Sequence, residues 1–195
     1  GSPTVGLAAP NDLGTHFPSN GTMMIAPASA SLNSLGAANA NLSVSLWVRP
    51  STPTGDWRPL LHKGSINFER GPGLWLNPGN TRVHFRLSTS ANNNEGTDTA
   101  ANLTVGAWSH LACVKAGNKW RCYINGTLNT EFTLSGSTVG NNGPFYLGDD
   151  PWYNGSNVYL DDVRVYNRAL CPTEIQELHS GGFEGVRIIK WVEIQ

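Results

Sequence analysis

The densest concentration of groups able to do chemistry is the run Gly148-Asp149-Asp150-Pro151-Trp152-Tyr153-Asn154-Gly155-Ser156-Asn157. Flat aromatic faces stack against sugar C–H groups, and carboxylates and amides hydrogen-bond hydroxyls. Asp149, Asp150, Trp152, Tyr153 and Asn154 therefore read as a ligand-binding set on a loop between strands. Such oxygens also suit Ca2+, although the spacing is not that of an EF-hand. The other reading of the same loop is a solvated turn with Trp152 folded back as a lid on the protein's edge. A second polar run, residues 92–98, would add Glu95 and Asp98 to the same rim, or else form a mobile loop. A third candidate is the pair Asp161 and Asp162. One of them points outward toward Arg164 or Arg168. The other needs a partner wherever it turns from water, either a structural Ca2+ or backbone N–H groups of residues 17–21.

Catalytic constellations are not visible. A retaining glycosidase needs two carboxylates about 5–5.5 Å apart. On one strand that requires even spacing of the acids. Asp161 and Asp162 are adjacent instead, and Glu174 and Glu177 share a helix face. There is no nucleophile elbow, zinc-helix motif, phosphate loop or dinucleotide fingerprint, and the five histidines lack metal spacing. The expectation is a protein without enzymatic activity. With 13 basic and 14 acidic residues the chain has a net charge of −1. That balance argues against nucleic acid and against a polybasic membrane surface, and no apolar run reaches the length of a membrane helix.

The elements that must position these residues are strands. Leu42, Val44, Leu46 and Val48 alternate on one face of a strand that ends at Pro50. Residues 74–76 and 82–87 read as neighbours, with Val83, Phe85 and Leu87 turned inward and Arg82, His84 and Arg86 outward. Residues 107–115 and 120–124 form a hairpin about Gly117-Asn118. Asn125-Gly126 turns the chain into a strand at 128–134, and residues 145–147 and 158–166 complete about ten short strands. The hairpin register sets Cys113 opposite Cys122. At that spacing they form either a disulfide or a pair of small buried thiols. Trp47, Trp75, Trp108 and Trp120 are assigned to the core, and Trp57, Trp152 and Trp191 to an exposed patch. One helix stands out after Cys171, with Pro172 at its first turn, Glu174 at its third position and Gly181-Gly182 as the stop. This is an all-β chain, an antiparallel two-sheet β-sandwich of jelly-roll type with one short C-terminal helix.

Several of these segments, taken in order, resemble the laminin-G-like, concanavalin A-like jelly-roll family. Residues 17–27 are similar to its opening strand and residues 42–50 to its Trp-bearing second strand. Gly106-Ala107-Trp108-Ser109-His110 is similar to the start of one of its strands, and Tyr123-Ile124-Asn125-Gly126 to one of its turns. Leu160-Asp161-Asp162-Val163-Arg164-Val165-Tyr166-Asn167-Arg168-Ala169-Leu170, followed by Glu174-Ile175, carries the most specific likeness. Pro18 departs from it, because an acidic residue usually follows Phe17, and a metal site relying on that acid loses a ligand. The resemblance places the domain at residues 15–182. Residues 1–14 become a cloning scar and lead-in, and residues 183–195 an extra strand or a linker. It implies a non-catalytic extracellular or cell-surface module, part of a larger multidomain protein, that binds a glycan or an extracellular protein through loops at one rim, with Ca2+ assisting at Asp161 and Asp162. Two other readings are a structural domain that assembles with its neighbours and, more remotely, a glucanase-type enzyme. Five Asn-x-Ser/Thr triplets, at Asn20, Asn41, Asn102, Asn125 and Asn154, are compatible with a secreted glycoprotein.

Overall fold

The computed structural model describes residues 3–10, 12–18, 21–153 and 157–181. Its strands are β1 (Thr4–Ala9), β2 (Asp12–Phe17), β3 (Met24–Ala26), β4 (Leu42–Pro50), β5 (Arg58–Lys63), β6 (Gly73–Leu76), β7 (Val83–Leu87), β8 (Glu95–Asp98), β9 (Ser109–Ala116), β10 (Lys119–Ile124), β11 (Thr127–Thr133), β12 (Phe145–Leu147) and β13 (Val158–Tyr166). Two short helices accompany them, α1 (Ala30–Asn33) and α2 (Pro172–Ser180). Every pairing between these strands is antiparallel. One sheet runs β1-β2-β13-β4-β9-β10-β11 and the other β3-β12-β5-β6-β7-β8, which is the expected two-layer sandwich.

The alternation read from sequence decides what lies between the layers. Leu42, Val44, Leu46 and Val48 from β4 meet Leu74, Leu76, Val83, Phe85 and Leu87 from β6 and β7 in one buried cluster. Trp120 joins that cluster and packs on Phe85, their ring centres 5.9 Å apart. The expected hairpin register holds, with Cys113 opposite Cys122. Their Sγ atoms lie 3.3 Å apart as thiols, so of the two readings the structure contains the thiol pair. Burial pushes the Cys113 thiol above its usual range.

Three assignments change. Residues 4–17, placed largely ahead of the domain by the sequence, pair as β1 and β2, and β2 joins the sheet through β13. Small residues and Gly6 in that stretch gave no readable alternation. Residues 95–98, read as rim or mobile loop, form β8 on the edge of the six-stranded sheet, where Gly96 adopts a φ of 143° and crosses Phe85 closely. Strand β5 was missed because Arg58, His62 and Lys63 interrupt its apolar character. All three are nevertheless buried, and the Lys63 ammonium is held by Asn33 Oδ1, Asn141 Oδ1 and the carbonyls of Asn141 and Gly143. The C-terminal helix is where it was expected. Cys171 N–H donates to Glu174 at 2.8 Å, and Gly181 ends the helix with a left-handed φ of 76°. Residues 183–195, with Trp191 and the apolar stretch 186–194, lie outside the described residues.

Among the described residues the buried Trp120 indole N–H finds no hydrogen-bond partner. Trp120→Phe removes that orphan donor and keeps a ring in place, so it should cost under about 1.5 kcal/mol, whereas Trp120→Ala should cost about 3–5 kcal/mol. Denaturant midpoints of the two variants check this ordering.

Candidate functional site

Because Leu74, Leu76, Val83, Phe85 and Leu87 turn inward, their neighbours Trp75, His84 and Arg86 stand on the outer face of the six-stranded sheet. Trp75 is buried as expected, 1% exposed, but on the outer face of the sheet rather than between the two layers. Its indole crosses the backbone of Gly73. A Cβ there would meet the ring at 2.1 Å, so only glycine lets the indole lie flat on the strand. Arg70 covers the ring at 5.2 Å, His62 meets it edge-on at 5.1 Å and Tyr153 does so at 6.4 Å.

Asp150 holds this assembly together. Its Oδ2 accepts the Trp75 indole N–H at 2.9 Å and faces His62 Nδ1 at 3.2 Å. Its Oδ1 accepts the backbone N–H groups of Trp152 and Tyr153 at 3.0 and 3.1 Å. Asp149 is also buried, and its carboxylate takes the N–H groups of Gly21 and Asp150. Both acids were expected to meet ligand hydroxyls. Both are instead turned inward as loop anchors, because a carboxylate surrounded by N–H donors is better satisfied there than in a solvated turn. Asp149 thus bonds to the segment 17–21, whose N–H groups, beside Ca2+, were one of the two partners expected for Asp161 or Asp162.

Trp152 and Tyr153 are folded back onto the sheet, as the lid reading held, and remain partly exposed, as the stacking reading required. Trp152 lies 4.9 Å from His62 and meets Tyr146 edge-on at 5.8 Å. Tyr153 lies 6.2 Å from Trp57, and its hydroxyl accepts from Asn67 Nδ2 at 3.2 Å. Trp57 in turn leans on His84 at 4.5 Å. Asn154 lies outside the described residues.

Asp98 belongs to this face and Glu95 does not. Asp98 Oδ1 binds His84 Nδ1 at 2.7 Å and Arg86 Nη2 at 3.3 Å, while its Oδ2 accepts from Asn77 at 2.8 Å. Burial favours the neutral acid, but the hydrogen bonds from Asn77 and His84 and the Arg86 charge hold its pKa below the usual range. Glu95 is buried and accepts from the Ser135 hydroxyl and the N–H groups of Ser135 and Gly136, so it pins a turn. Its expected role on the rim is corrected accordingly. Of the metal candidates, Asp162 sits in a β-bulge with φ 48° and pairs with Arg164 Nε at 2.7 Å, as one of the two acids was expected to do. Among the described residues, no three His, Cys, Asp or Glu side chains gather as they would about a metal ion.

Sequence reasoning passed over His62, His84, Arg86 and Tyr146 as site residues. The outward alternation of His84 and Arg86 was in fact visible. What the sequence did not carry was that the loop at 149–153 closes over that particular face.

Three comparisons bear on this geometry. A family model described as "Concanavalin A-like lectin/glucanases superfamily" matches residues 25–176. The binding domain of Paraclostridial mosquitocidal protein 1 superposes with a TM-score of 0.72 at 16% identity, over 93% of this chain and 46% of that one. The ligand-binding domain of botulinum neurotoxin serotype D, solved with N-acetylneuraminic acid, gives 0.68 at 15% identity, over 91% and 44%. A Trypanosoma rangeli sialidase gives 0.62 at 19% identity, over 88% and 28%. At these identities the likeness is one of fold, and the chain spans less than half the length of each. No curated protein matches it.

His84 Nδ1 donates to Asp98 and its Nε2 accepts from Arg86 Nε at 2.9 Å, an arrangement that requires the neutral ring. Burial and the Arg86 charge push its pKa down to about 4, against the pull of Asp98. Below the unfolded value of 6.5 the unfolded chain binds the extra proton first. Stability present above pH 6.5 is therefore lost as pH falls toward about 4, at up to about 1.4 kcal/mol per pH unit. In an NMR titration the His84 ring signal should stay constant from about pH 8 to 5. A midpoint near 6.5 would contradict the arrangement.

Proposed function

We propose that this chain, which belongs to the concanavalin A-like lectin/glucanases superfamily, is a non-catalytic extracellular recognition module that binds a saccharide on the outer face of its six-stranded sheet. One observation carries the reading. Trp57, Tyr153 and Trp152, all partly exposed, stand along one sheet face: Trp57 leans on His84 of the hydrogen-bonded set His84, Asp98 and Arg86, Tyr153 lies beside Trp57, and Trp152 lies further along over His62 and Tyr146. Aromatic faces suit the C–H side of a sugar ring, and the polar set suits its hydroxyls. A rigid platform limits the ordering cost of binding. The proposed position is the sheet face beside the loop, where the sequence had suggested loops at a rim.

The absence of catalysis is part of the proposal. It is supported by the occupation of the carboxylates: Asp150 is buried under four contacts to N–H or ring nitrogen donors, and Asp98 is tied to His84, Arg86 and Asn77. Glycoside hydrolysis needs one acid free to donate a proton and a second free to act as nucleophile or base. The module is proposed to be one part of a longer protein, in keeping with the fractional coverage of the structures it resembles. No helix among the described residues is long and apolar enough to cross a membrane.

On a glycan array the chain should bind a restricted set of saccharides. Trp152→Ala should weaken binding at least about tenfold, or about 1.4 kcal/mol, with the thermal midpoint little changed. Silence across the array, or hydrolysis of a β-glucan, would overturn the reading.

A structural Ca2+ at Asp161 and Asp162 is a separate proposal, and the Asp162–Arg164 pair weighs against it because that carboxylate already has a cationic partner. A thermal midpoint equal in chelator and in millimolar Ca2+ would refute the metal. A midpoint raised by Ca2+ and lost in Asp162→Asn would establish it.

A further inference from the structure

We propose a second binding site, for a saccharide bearing a carboxylate, at a pocket around Arg49 on the outer face of the seven-stranded sheet. The site is written in the strand register. His16 of β2 pairs with Tyr159 of β13, and Tyr159 pairs with Arg49 of β4. Trp108, just ahead of β9, extends the same row, since Val48 pairs with Ser109. Val48, Val158 and Leu160 turn into the core, so these four side chains lie side by side on the outside.

They stack in sequence. The His16 ring lies 3.9 Å from Tyr159 and 7° from parallel, and the Arg49 guanidinium sits 3.7 Å from the centre of the Tyr159 ring. Trp108 is 5.7 Å from the guanidinium and edge-on to Tyr159. No carboxylate among the described residues pairs with Arg49, and its Nε–H is buried without an acceptor. A guanidinium with its faces occupied by rings offers its edge, and the edge geometry matches a planar carboxylate through two parallel hydrogen bonds.

Arg49 opens onto a pocket of about 280 Å3 that it shares with Ser51, Thr52, Val105 and Tyr159. That is close to the low end of small-ligand pockets, roughly 300 Å3 and upward, and it suits one sugar ring. The walls are set by one backbone and two side-chain hydrogen bonds. Gly106 N–H donates to Pro50 O at 2.9 Å, and Asn157 Oδ1 receives both the Ser51 hydroxyl and His16 Nε2 at 3.2 Å. Exposed Val105 supplies an apolar flank and Thr52 a hydroxyl. A positive charge without a counter-ion among the described residues, an aromatic floor and hydroxyl walls together select an acidic sugar over a neutral one, and over a plain inorganic anion.

The test uses the full chain and glucuronic acid, with glucose as the neutral control, in an NMR titration. The Trp108 indole N–H should shift with glucuronic acid and stay in place with glucose. Arg49→Gln should weaken that binding at least about tenfold. Arg49→Lys, which keeps the charge and most of the stem but not the fork, should also weaken it and serves if the Gln variant fails to fold. Added salt should weaken it too. The Trp57 and Trp152 signals report the other face, so failure here is distinguishable from failure of the saccharide site proposed there. Equal Trp108 shifts with both sugars, no shift at tens of millimolar glucuronic acid, or an Arg49→Gln variant that binds like the parent would each overturn the proposal.

Discussion

The Asp150 carboxylate is nearly withdrawn from water, and the outer face of the six-stranded sheet is organised around it. A buried carboxylate without partners costs several kcal/mol. Asp150 avoids that cost by engaging the Trp75 indole N–H, a His62 ring nitrogen and the backbone N–H groups of Trp152 and Tyr153. Each of those groups has a second constraint of its own. Trp75 lies across Gly73, His62 Nε2 donates to the Glu69 carbonyl at 2.7 Å, and Tyr153 is tied to Asn67. The consequence is a loop fixed to a sheet face and two aromatic side chains presented from a stiff base.

The outer face of the seven-stranded sheet is organised differently. One end is sealed by α2, whose Ile175 and Leu178 pack with Ala112, Val114, Tyr123 and Leu170. The other end carries the open row through Arg49. Two surfaces of one sandwich thus follow from the same period-two pattern that builds the core: what alternates inward is apolar, and the two open rows that alternate outward are rich in aromatic and charged side chains. The surfaces differ in charge balance. Arg86 has Asp98 beside it, whereas Arg49 has rings.

Much of the architecture was legible because strand alternation is a local property. The β4 and β7 patterns, the Gly117-Asn118 hairpin with its Cys113–Cys122 register and the Pro172 helix start all required only neighbouring residues. What was not legible depended on contacts far apart in sequence. Asp149 and Asp150 look like ligand groups in isolation, and only the approach of Gly21, His62 and Trp75 turns them inward. Glu95 found Ser135, 40 residues away. Trp75 reads as core by type and is buried, yet its cover is a loop that follows it by some 75 residues. Strand β5 hid behind charged side chains that the fold buries with carbonyl partners.

Amide hydrogen exchange of Trp152 and Tyr153 tests the central constraint most directly. If Asp150 fixes the loop, both amides are strongly protected at neutral pH, and Asp150→Ala brings them close to free exchange while the core strands β4 and β9 keep their protection. Amides that exchange freely in the parent protein, or that stay protected in the alanine variant, would contradict the account.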